Sequence, residues 1–486
     1  MIIDALELDP AGTALDGAAA CVIGSGPAGL AVARRLAAAA KDVILLEAGG
    51  ETISAESQAV YEGINAGDPY FALDTCRLRY FGGTSNHWGG WSRPLDAYDF
   101  EAKPHVPYSG WPIAKRDLDP YFGAAAAMLG LGDPPSSRPL DGADGDLVRT
   151  DWMFARRKRL GSLYRDEIEA DDRIRLVLNA NVVDFDLDPA GGAVRHTLFR
   201  HYAPDSPTFQ VAAPAVVLAC GGIENARVLL NADRRIAGGV GNRNDLVGRF
   251  FMEHPHFGIG AYIDLGAGFD RNRNFVATTP PFTDREGILS CSIVLHRYIG
   301  ADWYEDIPSR LLQELCELAP DRMADALGLF GLGCTMGEIR VMSEQAPNPD
   351  SRVSLVDTVD RFGLRRAQLD WRKTELDRRT IRATAFRIAE TLAAADTGRV
   401  KIADWLLDDG APFPEDHRLG GMHHMGTTRM AAAASEGVVD RNCRVFGTAN
   451  LYVAGSSVFP TVGYANPTLT IVQLALRLAD HLAARL

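Results

Sequence analysis

Six residues, Gly24-Ser25-Gly26-Pro27-Ala28-Gly29, follow a short apolar run at 19–23 and open a stretch of helical spacing at 30–40. A second apolar run at 43–46 ends on Glu47. In a strand–turn–helix–strand unit, Gly24, Gly26 and Gly29 permit a tight turn and let the backbone approach a pyrophosphate, whose charge sits at the helix N-terminus. Glu47 is placed to accept hydrogen bonds from ribose hydroxyls, and an acid there disfavours a 2′-phosphate. The chemistry implied is binding of FAD or NAD rather than NADP. A lone glycine motif is weak; in this context of two strands, a helix and an acid it is specific.

A second cluster is Phe81-Gly82-Gly83-Thr84-Ser85-Asn86-His87-Trp88-Gly89-Gly90. Four glycines around Thr84, Ser85, His87 and Trp88 make poor core material and suit a loop whose backbone lies against a flat ligand. At this point the chain resembles the glucose–methanol–choline (GMC) oxidoreductases, FAD enzymes that oxidise alcohols, and within them the branch of pyranose oxidase and fructose dehydrogenase. The resemblance recurs at residues 219–227 (ACGGIENAR), 248–255 (GRFFMEHP), 344–355 (EQAPNPDSRVSL), 422–430 (MHHMGTTRM) and 450–470 (NLYVAGSSVFPTVGYANPTLT), in the family's order and over nearly the whole chain.

The resemblance implies a catalytic pair, His423 and Asn466. A neutral imidazole takes the carbinol proton while the adjacent C–H delivers hydride to flavin N5, and a reference pKa near ~6.5 suits that task. Asn466 hydrogen-bonds the same oxygen and, as an amide, cannot be the base. His424 and His254, beside Pro255, read as structural histidines. The resemblance also places Gly82, Gly83, Thr84, Ser85, Asn86, His87, Trp88, Gly455, Ser456, Pro467 and Thr468 against the cofactor. Pro467 suits the first position of a closing helix, having no N–H to waste. In the family that helix end faces the flavin pyrimidine, where negative charge accumulates on reduction. In pyranose oxidases the histidine at the place of His87 is bonded covalently to the flavin; other members bind FAD without the bond, and both arrangements stay open here. Hydroxynitrile-lyase chemistry on the same fold, an NAD-dependent dehydrogenase and a non-catalytic FAD module are the competing readings. The branch implies a ring hydroxyl of a sugar, glycoside or polyol as substrate, with oxygen, a quinone or a protein as electron acceptor.

The elements that must position these groups divide the chain of 486 residues into an α/β arrangement. A discontinuous FAD-binding Rossmann-like domain occupies 1–257, including a meander at 173–222 in which 174–178, 182–187, 193–200 and 208–212 precede a buried strand at 215–219. An α+β substrate domain with an antiparallel sheet occupies 258–417, with helices expected at 311–327 and 374–395. Residues 418–486 return to the first domain carrying the catalytic pair, and the closing helix is expected to bury Ile471, Leu474, Ala475 and Leu478.

Composition sets the outer limits. Hydrophobic residues at 47% and charged residues at 23% exclude a disordered or fibrous chain. A formal charge of -13 argues against nucleic-acid binding. The scattered cysteines have no metal-ligand or iron–sulfur spacing, so no metal is expected and reduced thiols are. No export signal and no run long enough to span a membrane is visible, which makes a cytoplasmic protein the expectation.

Overall fold

A computed structural model describes residues 1–9, 15–156, 159–190, 192–264, 275–297, 336–414 and 421–486. The helix expected at 311–327 lies outside the described residues. The apolar run Ala20–Ile23 forms a strand buried on both faces, the helix Pro27–Ala38 crosses, and Val43–Leu46 pairs parallel with the first strand. Continuous rather than alternating burial is what a parallel strand covered on both sides requires. The sheet has six strands in the order Ile2–Asp4, Ile174–Leu178, Val43–Leu46, Ala20–Ile23, Ala215–Leu218 and Leu451–Val453, every adjacent pair parallel.

The segment 174–178 therefore belongs to this sheet and not to the meander expected for it. Its apparent alternation is broken by Val177, and Leu176, Val177 and Leu178 are all buried. The meander is the antiparallel trio Asn181–Leu187, Val194–Arg200 and Phe209–Val211. Strand order reverses around Ala20–Ile23, whose two neighbours are reached in opposite directions, so a crevice opens beyond the carboxyl ends of the strands.

A seven-stranded antiparallel sheet roofs that crevice, in the order Gly398–Ile402, His256–Asp264, Met336–Ser343, Cys291–Arg297, Phe275–Thr278, Leu147–Thr150 and Ser137–Pro139. Side chains alternate between its faces with the two-residue strand period. Phe257, Ile259, Ile293, Ile339 and Val341 pack under the helix Glu375–Ala394 through Ile381, Ala385, Ile388 and Leu392. The opposite face turns His256, Phe275, Val294, Arg340 and Met342 toward the crevice.

Two boundaries drawn from the sequence change. Strands Leu147–Thr150 and Ser137–Pro139 join the roof although they precede residue 258. Strands Arg352–Val359 and Arg365–Asp370 leave it, pairing with each other and with Ile64–Asn65. Their Val353, Ala367 and Leu369 bury against the first core. Hydrophobic pattern identifies a strand but not its sheet, because pairing partners lie hundreds of residues away.

The closing helix is Thr468–Ala483, with Pro467 as its N-cap rather than its first helical residue. It is buried almost all round, and the half-buried Ile471 packs against the core and also lines the cavity. Gly29 sets how closely the first helix can approach its strand, since a Cβ there would lie 1.8 Å from the Gly24 carbonyl oxygen. Replacing Gly29 with Ala should therefore lower the unfolding free energy by about 1–3 kcal/mol through backbone displacement. Chemical denaturation measures it, and an unchanged midpoint would contradict this packing.

Candidate active site

Three helices begin at the crevice without a side-chain cap. Gly26 precedes Pro27–Ala38, Gly221 precedes Gly222–Asn231, and Pro467 precedes Thr468–Ala483. Each leaves first-turn N–H groups without intrahelical partners and adds the positive end of a helix dipole. All three line one cavity of about 560 Å³. Gly24 at φ +97° has no room for a side chain, the Ala219 carbonyl oxygen lying 2.6 Å from where a Cβ would sit. Gly26 by contrast faces open space, which leaves its backbone accessible to a ligand. Bare amides in a glycine-lined cleft fit a diphosphate.

Glu47 lines the same cavity and is buried. One carboxylate oxygen accepts from the Ser25 N–H at 3.0 Å and the Ser25 hydroxyl at 2.5 Å, the other from the Gly49 N–H at 2.8 Å. These bonds leave about one acceptor site on a carboxylate that lines the cleft, which contact with a ribose hydroxyl can use. The Ser25 hydroxyl also accepts from the Gly82 N–H at 3.1 Å, tying the first glycine turn to the second loop.

In that loop Gly83, Thr84, Ser85, His87 and Trp88 line the cavity, with His87 exposed. Gly82 and Asn86 do not; they shape the loop. Gly82 sits at φ +91°, and the Asn86 amide donates to the Phe81 carbonyl at 2.7 Å. Gly29 is likewise behind the wall. Gly24, Gly26, Gly455, Ser456, Pro467 and Thr468 line the cavity, as do both His423 and Asn466.

The far end of the cavity holds a cluster of imidazoles. His423 Nδ1 lies 2.9 Å from His254 Nδ1, and His254 Nε2 lies 2.9 Å from the Gly463 carbonyl oxygen. The His256 ring is centred 6.3 Å from that of His423. Burial first, then the neighbouring His254, His256 and His424, holds His423 well below the usual histidine range. Burial pushes both His254 and His424 down to about 3, with Arg77 adding to the effect at His424. Asn466 donates its Nδ2 to the Trp91 carbonyl at 3.1 Å, which fixes the orientation of the amide. Its Oδ1 is buried and has no hydrogen-bond partner among the described residues. A hydroxyl placed between these two side chains meets a neutral imidazole and an amide with a spare hydrogen and a spare acceptor.

Glu253 builds this corner from below. Its carboxylate accepts from the backbone N–H of His423 at 2.8 Å, the N–H of His254 at 2.8 Å and the Tyr70 hydroxyl at 2.6 Å. Gly421 admits it, since a Cβ there would lie 2.5 Å from the carboxylate. His254 lies outside the cavity wall, as its reading as a structural histidine expects, and it bonds directly to the imidazole that lines the wall. The Met-Glu-His-Pro patch was visible in the sequence. Its contact with a histidine 169 positions away was not. The bare N-terminus at Gly221 was also missed, although φ > 0 at a Gly-Gly pair after a buried strand is a readable signal. Among the described residues no group of three or more His, Cys, Asp or Glu could hold a metal ion.

The parallel sheet and the glycine cradle frame a cleft suited to a nucleotide, with an imidazole in its wall. Residues 347–475 match the family model described as GMC oxidoreductase. The fructose dehydrogenase large subunit of Gluconobacter japonicus is 25% identical over 78% of this chain and 69% of its own length. The 6'''-hydroxyparomomycin C oxidase of Streptomyces lividus is 24% identical over 96% of this chain and 92% of its own. A fungal aryl-alcohol oxidase structure superposes with a TM-score of 0.60 at 14% identity, covering 97% of this chain and 99% of the other. Residues 347–475 carry a GMC oxidoreductase domain, and the chain is an FAD-dependent oxidoreductase. Among the described residues no helix is long and apolar enough to cross a membrane.

Replacing Glu253 with Gln keeps the shape but turns an all-acceptor group into one that presents an NH2 to N–H donors. The variant should lose about 1–3 kcal/mol of unfolding free energy. Equilibrium denaturation checks this, and a loss under about 0.5 kcal/mol would show that the carboxylate does not organise the corner.

Proposed function

We propose that the parallel-sheet unit is a Rossmann-like domain holding FAD and that the enzyme oxidises a ring hydroxyl of a sugar, glycoside or polyol to a carbonyl. The observation that carries the reading is that His423 and Asn466 line the same cavity as the three bare helix N-termini. Backbone N–H groups of residues 26 and 28 and of 221–223 would hold the pyrophosphate and Glu47 the ribose. Loop residues 83–88, with Gly455, Ser456, Pro467 and Thr468, would enclose the flavin. FAD supplies a hydride acceptor at N5. The N-terminus of Thr468–Ala483 favours the negative charge that reduction brings to that end of the cleft.

The chain's own residues do the rest. His423 takes the hydroxyl proton, its depressed basicity keeping it neutral at physiological pH and therefore able to accept. Asn466 offers the same hydroxyl a hydrogen from Nδ2 and orients it. Trp88, Trp91 and Phe275 line the cavity and give flat apolar surfaces against which the C–H face of a sugar ring can lie. The two relatives named for fructose and for an aminoglycoside support a polyhydroxylated ring as substrate.

Anaerobic mixing with a panel of sugars, glycosides and polyols tests the reading. At least one should bleach the flavin bands, and a panel that leaves them untouched would overturn it in favour of chemistry without net redox. His423→Ala should retain FAD and lose about 10²–10⁴-fold in the rate of bleaching. A near-wild-type rate would remove His423 as the base.

The pH dependence follows from the direction of the shift. Because the conjugate acid of His423 forms only well below pH ~6.5, the base stays unprotonated as pH falls from about 7.5 to 6, so the rate of flavin reduction should stay level across that window. Stopped-flow reduction across pH measures it. A rate that falls with an apparent pKa near or above ~7 would contradict the assignment.

A further inference from the structure

The hydrogen positions on the two paired imidazoles are not independent. The Gly463 carbonyl can only accept, so His254 must carry its proton on Nε2, 2.9 Å away. A neutral imidazole with a proton on Nε2 has a lone pair on Nδ1. That lone pair faces His423 Nδ1 at 2.9 Å, so His423 must be the donor of the pair. The neutral His423 is then left with its own lone pair on Nε2, the ring nitrogen not engaged by His254, in a side chain that lines the cavity. The opposite tautomer would set two lone pairs against each other in a buried corner.

On these contacts, and resting on the proposed role of His423 as base, we infer that His254 is a positioning residue that fixes the reactive tautomer of His423 and aims its lone pair at the substrate hydroxyl. Three further features hold the arrangement. The Glu253 carboxylate fixes the backbone N–H groups of both histidines. The Gly463 peptide is anchored by its own N–H, which donates to Glu344 Oε1 at 3.1 Å. Gly463 lies at φ +54°, and a Cβ there would lie 2.8 Å from the Asp99 carboxyl carbon, so this position admits no side chain and must stay glycine to present its carbonyl to His254. Burial keeps His254 neutral far into the acid range, so it remains an acceptor under all working conditions. His256 and the Gly463 and Val462 peptides face His254, while His256, His424 and the Glu253 carboxylate face His423.

The test compares His254→Leu, which keeps the bulk and removes the acceptor, with His254→Asn, whose Oδ1 takes the place of imidazole Nδ1. In the FAD-loaded enzyme labelled with ¹⁵N-histidine, the His423 signal, identified by its disappearance in His423→Ala, should show Nδ1 protonated and Nε2 bare. In His254→Leu it should move to the Nε2-protonated form. Flavin content should be retained while kcat for reduction falls about 10²-fold with KM changed by less than about threefold. His254→Asn should restore the wild-type ¹⁵N pattern and recover the rate to within about tenfold. A wild-type His423 protonated on Nε2, or Leu and Asn variants equal in tautomer and rate, would overturn the inference. The ¹⁵N readout needs no substrate, so a failure to find any reducing alcohol would count against the proposed function alone.

Discussion

Unpartnered backbone N–H groups govern this structure. At the carboxyl edge of the parallel sheet three helices start from Gly26, Gly221 and Pro467, and none receives a side-chain cap. A helix end left bare inside a protein is costly unless something else takes its hydrogen bonds. Here the three ends share one cavity, so a single elongated anion can satisfy what would otherwise be three separate deficits. The glycines follow from that requirement: Gly24 and Gly29 bring strand and helix close enough to form the cradle, and Gly26 leaves it uncovered.

The reactive end is built by a different rule. Around His423 buried polar groups are paired donor to acceptor through Glu253, His254, Gly463 and Glu344, and the network reaches residues on four separate stretches of chain. In a low-dielectric corner such a network is stiff when satisfied and expensive when broken. Stiffness is useful for proton abstraction, because a base helps only if its lone pair points at the proton. Asn466 and His424 depart from this pairing. Asn466 Oδ1 and His424 Nε2 have no hydrogen-bond partner among the described residues, and both residues line the cavity.

How much of this could be read from the sequence depended on distance along the chain. The strand–turn–helix–strand unit with Glu47 was legible because all its parts lie within thirty-odd residues and each obeys a local periodicity. The return of the C-terminus to the same sheet was legible through motif order. Sheet membership was not: residues 174–178 look like one more strand of a meander, and only parallel pairing to Ile2–Asp4 and Val43–Leu46 shows otherwise. The strands at 352–370 were assigned to the wrong layer for the same reason. Among site residues, Gly82, Asn86 and Gly29 carry motif positions yet act on loop and helix geometry rather than on the cavity. His254 and Glu253 were visible as residues but silent as partners, since a hydrogen bond between residues far apart leaves no trace in spacing.

The crystal structure of the FAD-loaded protein is the most direct measurement of the account. The account predicts pyrophosphate density against the backbone N–H groups of residues 26, 28 and 221–223, and the flavin ring between the 83–88 loop and the His423–Asn466 corner. Flavin density elsewhere, or a ring separated from His423 by ordered protein, would contradict it.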